Sequence, residues 1–323
     1  MFKDKCIIVT GGLGFIGKNF CRYVSGEFDN KLIIDKITYA SDLDFFYTEL
    51  KPKGWELIVG DVVNIEELVV GLPNLNRHLI INFAAESHVD NSFSNASKFL
   101  YSNGMGTLAL LDFCRTHKNK FLHISTDEVY GENSGIGLTE DAALNPTNPY
   151  AATKAAADIL VRTYIKSFKV DAKIVRANNI YGNRQLVEKV IPKAIYSAKN
   201  KKQFLLHGSK DLKRHFLHTD DFSEALLTVL GHWLEKRDVV YNVGANESVE
   251  IRKLVKYVYS TLNADPKLIQ IGADRPFNDI EYEVNDDLIR GIGWSPKKDF
   301  WLEIHRICQS GSIFLGGQHF NLV

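Results

Sequence analysis

The chain has 323 residues, and 39 Lys and Arg balance 39 Asp and Glu, so its formal net charge is zero. Hydrophobic residues make up 45% and charged residues 24%, proportions that are typical of a soluble globular protein and argue against a disordered one. Zero net charge also argues against a nucleic-acid binder, which normally carries an excess of basic residues.

Strand-like and helix-like patterns alternate through the first half of the chain. The predicted strands are Cys6–Thr10, Leu32–Asp35, Glu56–Val59, Leu79–Phe83, Phe121–Ser125 and Lys173–Arg176. The predicted helices, with approximate ends, are Phe15–Val24, Glu66–Val70, Asn95–His117 and Ala151–Phe168. Short apolar strands separated by amphipathic helices are typical of a parallel sheet covered on both faces. We therefore predict a doubly wound parallel α/β sheet of the Rossmann class, with ligands at the carboxyl ends of its strands.

The alternation ends after about Tyr181, where helix-like, loop and short strand-like pieces mix. We predict a Rossmann domain over residues 1–180, which would bind a cofactor, and a smaller mixed α/β domain over residues 181–323, which would bind the substrate. Part of the chain near residues 212–240 is expected to return to the first domain.

A glycine-rich turn follows the first predicted strand and opens the first helix. Gly11, Gly14 and Gly17 give the pattern GxxGxxG. A turn without Cβ atoms lets the backbone approach a pyrophosphate, whose charge is stabilised at the helix N-terminus. Asp35 ends the second strand, where an acid binds ribose hydroxyls and repels a 2′-phosphate. This pattern predicts a dinucleotide site and favours NAD over NADP.

Two neighbours of this site are less specific. Lys36 directly follows Asp35 and slightly weakens the preference against a 2′-phosphate. Asp61 closes the third strand, where its carboxylate either accepts from the adenine amino group or stabilises a turn.

Tyr150 and Lys154 form a YxxxK pattern at the start of the last predicted helix. A spacing of four places both side chains on one helix face. A lysine ammonium beside the phenol, assisted by a nicotinamide cation, can lower the pKa of a tyrosine from about 10 toward neutrality. Thr126 ends the fifth strand, where it can bond a substrate hydroxyl that Tyr150 deprotonates. These residues predict a centre for oxidation of an alcohol.

Two adjacent carboxylates, Asp127 and Glu128, directly follow Thr126. Elimination of water beside a new ketone needs both an acid and a base, whereas a simple dehydrogenase does not. The pair can also be two solvated loop acids. Because successive strand side chains face opposite ways, both acids reach one pocket only if the chain leaves β geometry at Thr126–Asp127. We predict that it does.

Eight motifs distributed along the chain carry a family resemblance. They are TGGLGFIG at Thr10–Gly17, DKITYASD at Asp35–Asp42, FAAESHVDNSF at Phe83–Phe93, ISTDEVYG at Ile124–Gly131, PTNPYAATKA at Pro146–Ala155, NNIYGNRQ at Asn178–Gln185, YNVG at Tyr241–Gly244 and DRPFND at Asp274–Asp279. With them the chain resembles the nucleoside-diphosphate-glucose 4,6-dehydratases of the extended short-chain dehydrogenase/reductase family. The DRPFND and PTNPY forms are more similar to the UDP-glucose branch of plant rhamnose synthases than to the dTDP-glucose branch.

The resemblance implies a reaction. Tyr150, assisted by Thr126 and Lys154, would deprotonate the glucose 4-hydroxyl while NAD takes the C4 hydride. Glu128 would then remove the C5 proton and Asp127 would protonate the leaving 6-hydroxyl, before the hydride returns to C6. The product would be a 4-keto-6-deoxy sugar, a step toward rhamnose or another 6-deoxyhexose. For this role the pKa of Asp127 must be raised by burial and by the charge of Glu128.

The resemblance also implies two sets of binding residues. The NAD contacts would be Gly11, Gly14, Phe15, Ile16, Gly17, Asp35, Lys36, Asp61, Val62, Ala84, Ala85, Asn103, Tyr150 and Lys154. The nucleotide-sugar contacts would be Ser87, His88, Asn179, Lys189, Arg214, Asn242 and Arg275. Arg214 and Arg275 suit a pyrophosphate, and His88 can equally be a structural histidine. Related sequences read YGPxQ where this chain has Asn183 in place of the proline, which leaves the shape of that loop open.

Three alternatives remain at this level. The substrate can be dTDP-glucose instead of UDP-glucose. A nucleotide-sugar 4-epimerase uses the same NAD and Tyr-Lys pair but lacks the Asp127–Glu128 pair. A non-catalytic NAD-binding protein is disfavoured by the intact set of Thr126, Tyr150 and Lys154.

Partners and location follow from simpler features. Family analogy implies a homodimer through the helices near residues 95–117 and 151–168. His215 and His218 lack a third ligand, so we expect no metal. No apolar stretch reaches the roughly 18 residues of a membrane helix, so we expect no membrane contact. The four cysteines form no CxxC pair, which favours a reducing, cytoplasmic location.

Overall fold

Short strands and helices alternate in the computed structural model, which describes residues 6–72, 76–133, 137–207, 212–234, 239–272 and 281–317. The strands are β1 Cys6–Thr10, β2 Asn30–Asp35, β3 Trp55–Val59, β4 Leu79–Asn82, β5 Lys120–Thr126, β6 Ala172–Ala177, β7 Asn179–Tyr181, β8 Gln185–Leu186, β9 Phe204–His207, β10 Lys213–His218, β11 Val240–Val243, β12 Ser248–Glu250, β13 Ile269–Gly272 and β14 Ile313–Phe314. The α-helices are α1 Phe15–Tyr23, α2 Leu43–Phe45, α3 Ile65–Leu68, α4 Val89–Ser94, α5 Ala96–Phe99, α6 Gly106–His117, α7 Pro149–Phe168, α8 Val190–Lys199, α9 Thr219–Gly231, α10 Ile251–Thr261, α11 Asp287–Arg290 and α12 Phe300–Ser310.

Seven parallel strands form the main sheet in the order β11-β6-β5-β4-β1-β2-β3. Ile7 and Val9 belong to one buried apolar cluster and Ile8 to another, because successive strand residues face opposite sides of the sheet. Both faces are therefore covered, and the predicted Rossmann-type α/β fold is confirmed. The six predicted strands are all present, and β11 is an additional one at the sheet edge.

The second half of the chain builds smaller sheets. Strands β12, β10 and β7 form one sheet, while β13 pairs with β9 and β14 pairs with β8. Helices α8, α10 and α12 pack around a third apolar cluster. Between these pieces α9 packs on α1, and β11 pairs with β6, so the chain after Tyr181 also contributes to the main sheet. The division into two domains at residues 180 and 181 stays a prediction.

Two helices differ in detail from the prediction. The expected helix over 95–117 is α5, a π-helical stretch Leu100–Met105, and α6 in succession. Helix α7 begins at Pro149, two residues earlier than expected, because the side chain of Asn148 accepts from the Ala151 amide at 2.8 Å. An Asn cap followed by Pro is a favoured helix start. Over the parts of the chain that the structure describes, no helix is long and apolar enough to cross a membrane.

Candidate active site

A cleft of about 880 Å³ lies along the carboxyl ends of the main-sheet strands. One wall contains the glycine-rich turn, Asp35, Thr126 and Tyr150. The other wall contains Asn179, Lys189 and Arg214, from the second half of the chain. A cleft of this size suits an organic ligand and lies where ligands bind in open α/β sheets.

The glycine-rich turn requires glycine at two positions. Gly11 has φ of 66°, and a Cβ there would lie 2.6 Å from the amide nitrogen of Ala84. A Cβ on Gly17 would lie 2.4 Å from the carbonyl oxygen of Gly11. Any larger residue would push the turn away from α1 or from the strand beside it. Gly14, Phe15, Ile16 and Gly17 line the cleft at the start of α1, which is the geometry that a pyrophosphate needs.

Asp35 organises the loop next to this turn. Its Oδ2 accepts from the Leu13 amide at 3.0 Å, and its Oδ1 accepts from the Ile37 amide at 2.9 Å and the Ser41 hydroxyl at 2.8 Å. Burial is the main cause that raises the pKa of this carboxyl, and these hydrogen bonds oppose the rise. Asp35 also lines the cleft, as a ribose-binding acid would.

Lys36 and Asp61 stand beside Asp35 on the same wall. Lys36 Nζ donates to the Ser102 hydroxyl at 2.8 Å and lies 3.8 Å from Asp61 Oδ2. Asp61 Oδ1 accepts from the Val63 amide, so this acid caps a short 3₁₀ turn while it lines the cleft with Val62. Both interpretations of Asp61, cleft residue and turn residue, are therefore compatible with its position.

Strand β5 ends at Thr126, and a 3₁₀ helix begins at Asp127. The predicted departure from β geometry is therefore confirmed. Glu128 lines the cleft, but Asp127 lies behind its wall and is only 2% exposed. The expectation that both acids line one pocket is thus met by Glu128 alone, because the 3₁₀ turn directs Asp127 inward.

Two neutral donors hold the buried Asp127 carboxyl. The Thr126 hydroxyl donates to Oδ1 at 3.0 Å, and Asn178 Nδ2 donates to Oδ2 at 2.7 Å. Burial, followed by the charge of Glu128, raises the pKa of Asp127 to about 7. These are the two causes that the sequence predicted for a catalytic acid.

Glu128 is held by the cap of the neighbouring helix. Asn148 Nδ2 donates to Glu128 Oε2 at 3.0 Å, while Asn148 Oδ1 accepts from the Ala151 amide and caps α7. The same residue therefore fixes the carboxylate and the first turn of the helix that carries Tyr150.

Tyr150 and Lys154 lie one helical turn apart on α7 and both line the cleft. Burial, Glu128 and Asp127 raise the pKa of Tyr150, and a hydrogen bond with Thr126 opposes the rise. This is a correction, since Lys154 was expected to lower that pKa. Lys154 Nζ instead donates to the Ile124 carbonyl at 2.6 Å, and burial lowers its own pKa to about 8.

Five of the predicted nucleotide-sugar residues line the cleft, namely Ser87, His88, Asn179, Lys189 and Arg214. Lys189 Nζ donates to the Ser87 carbonyl at 2.9 Å, across the cleft. His88 Nδ1 accepts from the Asn91 amide, so it also caps α4, as its structural interpretation suggested. The Arg214 guanidinium lies 5.2 Å from the centre of the Tyr282 ring.

Asn242 is fully buried on β11 and does not line the cleft. Its amide accepts from the Tyr130 hydroxyl at 2.7 Å and donates to the carbonyls of Leu138 and Asn285 at 2.9 Å each. Every polar atom of the side chain is thus occupied within the protein. This arrangement gives Asn242 a structural role and does not support the predicted contact with the nucleotide, which stays a prediction.

Asn103 is likewise buried behind the cleft wall. It accepts from the Glu86 amide at 2.9 Å and donates to the Glu86 carbonyl and to Thr153 Oγ1. It connects the loop after β4 to α7 and does not face the cofactor space. Ala84 and Ala85 of that loop do line the cleft, whereas Arg275 lies outside the described residues.

Sequence reasoning missed Asn148 and Asn178, which hold the two catalytic-candidate acids. A signal existed for Asn148, because Asn before Pro is typical of a helix start. Asn178 stands next to Asn179 in the NNIYG motif, and no local pattern separates the roles of these two residues.

A dinucleotide cleft at the carboxyl edge of a parallel sheet, with Tyr150 and Lys154 one helical turn apart beside it, defines the class of extended short-chain dehydrogenases/reductases. The sequence matches the family described as GDP-mannose 4,6 dehydratase over residues 8–291. The chain therefore belongs to this family. The predicted family resemblance is confirmed.

Individual relatives agree with this assignment. The chain is 35% identical over 312 residues to the trifunctional UDP-glucose 4,6-dehydratase/UDP-4-keto-6-deoxy-D-glucose 3,5-epimerase/UDP-4-keto-L-rhamnose-reductase of Arabidopsis thaliana, covering 93% of this chain and 46% of that protein. It thus spans about half the length of that relative. It is 34% identical over 302 residues to the dTDP-D-glucose 4,6-dehydratase of Homo sapiens, covering 91% of this chain and 86% of that protein.

A solved structure gives the same result. DesIV, a dTDP-glucose 4,6-dehydratase from Streptomyces venezuelae crystallised with NAD bound, matches with a TM-score of 0.86 and 31% identity over 94% of this chain and 95% of that one. DesIV is crystallised with NAD, and the family assignment confirms the predicted cofactor. The names of these relatives describe 4,6-dehydratases, which are hydro-lyases. Both UDP-glucose and dTDP-glucose occur in their names.

Proposed function

We propose that the protein catalyses the NAD-dependent 4,6-dehydration of a nucleoside-diphosphate-glucose to its 4-keto-6-deoxy derivative. The observation that carries the proposal is the turn at Thr126–Asp127. It puts the buried Asp127 carboxyl in contact with the Thr126 hydroxyl and places the next residue, Glu128, on the cleft wall. An alcohol oxidation needs only the Tyr150–Lys154 side of the site, whereas a water elimination needs both acids.

The first step is oxidation at C4. NAD, when bound, accepts the C4 hydride and later returns it to C6. Tyr150 takes the proton of the 4-hydroxyl, and Thr126 bonds the oxygen that loses it. Tyr150 must be in its phenolate form to accept this proton. Lys154 is fixed by the Ile124 carbonyl one helical turn from Tyr150 and would assist only through the positive charge that it brings to the cleft when protonated.

The second step is elimination of water. Oxidation at C4 makes the C5 proton acidic, and Glu128 removes it from the cleft side. Asp127 holds a proton near neutrality because its pKa is raised to about 7. Since Asp127 lies behind the cleft wall, that proton reaches the leaving 6-hydroxyl through the Thr126 hydroxyl, which bonds Asp127 Oδ1 and lines the cleft. Glu128 would then return its proton to C5.

We propose UDP-glucose as the substrate. The support is the PTNPY sequence at Pro146–Tyr150 and the DRPFND sequence, which resemble the plant UDP-glucose enzymes. The step would serve formation of rhamnose or another 6-deoxyhexose. Similar identity to a dTDP-D-glucose 4,6-dehydratase keeps dTDP-glucose as the second candidate.

The test is turnover of UDP-glucose and dTDP-glucose by the NAD-loaded protein, with products resolved by mass. Loss of one water supports the dehydratase. The ratio of the kcat/KM values for UDP-glucose and dTDP-glucose shows which nucleotide the protein prefers. A product of unchanged mass but altered sugar configuration would identify a 4-epimerase instead. No turnover of either sugar, with NAD retained, would point to a non-catalytic NAD-binding protein.

We also propose a homodimer through the helical face formed by α5, the stretch Leu100–Met105, α6 and α7. Leu100, Tyr101 and Met105 on this face are 53%, 50% and 46% exposed, and Ile159 is 56% exposed. A row of exposed apolar side chains on adjacent helices is typical of a subunit interface. Sedimentation of the parent should give twice the chain mass, and Ile159→Asp should sediment as a monomer. A monomeric parent contradicts the proposal.

A further inference from the structure

Asp42 lies fully buried between two cations from different parts of the chain. Its Oδ2 lies 2.6 Å from Lys18 Nζ, and Arg184 binds both oxygens, at 2.7 and 2.8 Å. The Asp42 side chain and the Lys18 side chain have no exposed surface, and that of Arg184 is 32% exposed. Lys18 Nζ also donates to the Arg184 carbonyl at 3.0 Å, which closes the group of three.

Two aromatic rings pack on the same cations. Lys18 Nζ lies 5.7 Å from the centre of the Phe45 ring and 4.6 Å from that of Phe314. The Arg184 guanidinium carbon lies 5.7 and 5.9 Å from the same two rings. Phe314 lies in β14, close to the end of the described chain, so a distant segment completes this group. We call Lys18, Asp42, Arg184 and Phe314 the clasp.

The segment that carries Phe314 connects the two walls of the cleft. The amides of Arg184 and Val187 donate to the carbonyls of Ser312 and Phe314, at 2.8 Å each. At the end of the same segment, the Gly317 amide donates to the Tyr39 carbonyl at 3.0 Å. The segment therefore joins the loop after Asp35 to the strand β8, and Tyr39, Leu186 and Phe314 all line the cleft.

Further contacts reinforce this connection. The Tyr39 hydroxyl donates to Glu188 Oε2 at 3.1 Å, and Asn19 Nδ2 donates to the Asn183 carbonyl at 3.3 Å. Arg184 has φ of 58°, a left-handed conformation that a non-glycine residue adopts at some energetic cost. The bonds of Arg184 to Asp42 and Lys18 hold the chain in that conformation.

We propose that Arg184 and Phe314 are positioning residues whose clasp holds the two cleft walls together at the cofactor loop, so that NAD leaves or enters only when the clasp opens. The loop Thr38–Ser41 lines the cleft directly after Asp35, the residue expected at the ribose. A dinucleotide seated on the turn at Gly14 therefore has this loop on one side and β8 on the other. The clasp and the segment that carries Phe314 join this loop to β8.

The choice of arginine matters for this role. Arg184 binds both oxygens of Asp42 in a planar fork and lies 5.7 and 5.9 Å from the centres of the Phe45 and Phe314 rings, whereas lysine offers a single charged donor. Arg184→Lys therefore keeps the charge but loses one of the two bonds to Asp42. A merely electrostatic role would tolerate this change, and a positioning role would not.

The test is the rate at which bound NAD exchanges with an excess of NADH, followed by fluorescence of the bound reduced form. We expect Phe314→Ala to accelerate exchange about tenfold, because it removes the ring contacts to both cations and opens the wall. Arg184→Lys should accelerate exchange roughly fivefold. Phe314→Leu loses the ring contacts but keeps most of the apolar volume of the wall, so it should accelerate exchange less than Phe314→Ala does. Tyr47→Ala is the matched control, because it removes the contact of an exposed ring with Lys51, 5.4 Å away and outside the cleft.

Melting in saturating NAD separates positioning from general damage. Faster exchange in Phe314→Ala and Arg184→Lys, with melting temperatures close to that of the parent, supports the proposal. Unchanged exchange in both variants, or an equal acceleration in Tyr47→Ala, overturns it. If Phe314→Ala melts at a much lower temperature than the parent, the exchange rate of Arg184→Lys is used instead. Faster exchange in that variant supports the proposal, and unchanged exchange overturns it. The exchange assay contains no nucleotide sugar. Its result is therefore independent of whether the protein catalyses the proposed dehydration.

Discussion

The side-chain amide of Asn178 donates a 2.7 Å hydrogen bond to Oδ2 of Asp127, a carboxyl that is 2% exposed. The Thr126 hydroxyl bonds the other oxygen, at 3.0 Å. Both donors are neutral, so neither fully compensates a carboxylate in this position. A pKa of about 7 follows, and the group is poised to hold or release a proton under physiological conditions.

Asp127→Asn should separate the two halves of the reaction. The amide occupies the same volume and still accepts from Asn178, but it cannot supply a proton to the 6-hydroxyl. With UDP-glucose we expect reduced nicotinamide to accumulate to a stoichiometric level, while the rate of water loss falls by about 10²–10⁴-fold. Absorbance of the reduced cofactor and product mass measure the two steps.

The matched control for this variant is Asp141→Asn, which removes an exposed acid from a nearby turn. It should dehydrate at the parent rate. If Asp127→Asn also dehydrates at that rate, the assignment of Asp127 as the acid is wrong. If it fails to reduce the cofactor as well, Asp127 acts before the elimination.

The raised pKa of Asp127 also predicts two pH effects. Water loss requires the protonated acid, so kcat should fall as the pH rises through about 7. The folded state binds this proton more tightly than the unfolded chain, whose aspartate has a pKa of about 3.9. The stabilisation is therefore complete below about pH 4 and is lost as the pH rises through about 7. Urea unfolding at several pH values should show this decline in the parent and not in Asp127→Asn. A parallel decline in both proteins contradicts it.

The sequence predicted correctly those features that depend on residues close together in the chain. The strand–glycine-turn–helix at Gly11–Gly17 is one such feature, and the turn at Thr126–Asp127 is another, because the proposed chemistry required it. The burial of Asn242 could not be predicted, since it depends on Tyr130 and on carbonyls far away in sequence. The direction of the Tyr150 pKa was also missed, because burial, followed by the charges of Glu128 and Asp127, raises it, and burial depends on the folded chain.

Arg176 shows the same dependence on tertiary structure. It lies fully buried on β6, and its Nε bonds Asp158 Oδ2 at 2.8 Å. Arg176→Met should lower the free energy of unfolding by about 3–5 kcal/mol, because it leaves Asp158 buried without its cation. Arg115→Met, from an exposed pair with Asp112, should change it by less than about 1 kcal/mol. Urea unfolding measures both values. An equal, small decrease in the free energy of unfolding of the two variants would show that the buried pair does not stabilise the fold.

Asn242 and Arg214 should respond differently to substitution, since one is structural and the other lines the cleft. Asn242→Ala removes three buried hydrogen bonds and should cost about 2–3 kcal/mol of stability with an unchanged KM for the nucleotide sugar. Arg214→Gln should raise that KM about tenfold or more with little loss of stability, because a guanidinium bonds phosphate oxygens strongly. Steady-state kinetics and thermal melting of both variants check this. A raised KM in Asn242→Ala would restore the role that the sequence suggested.

Tyr150→Phe should abolish the oxidation at C4 and leave the cofactor in place. Tyr150 is the residue that we assign to take the proton of the 4-hydroxyl, so the rate of nicotinamide reduction should fall by about 10²–10⁴-fold. The ring keeps its packing against Phe99, 6.4 Å between centres, so NAD affinity and melting temperature should stay close to those of the parent. Tyr164→Phe is the control on the same helix, because it removes only a 2.9 Å hydrogen bond to Asp112, at the far end of α7. Nicotinamide reduction at the parent rate in Tyr150→Phe would show that another group takes the proton.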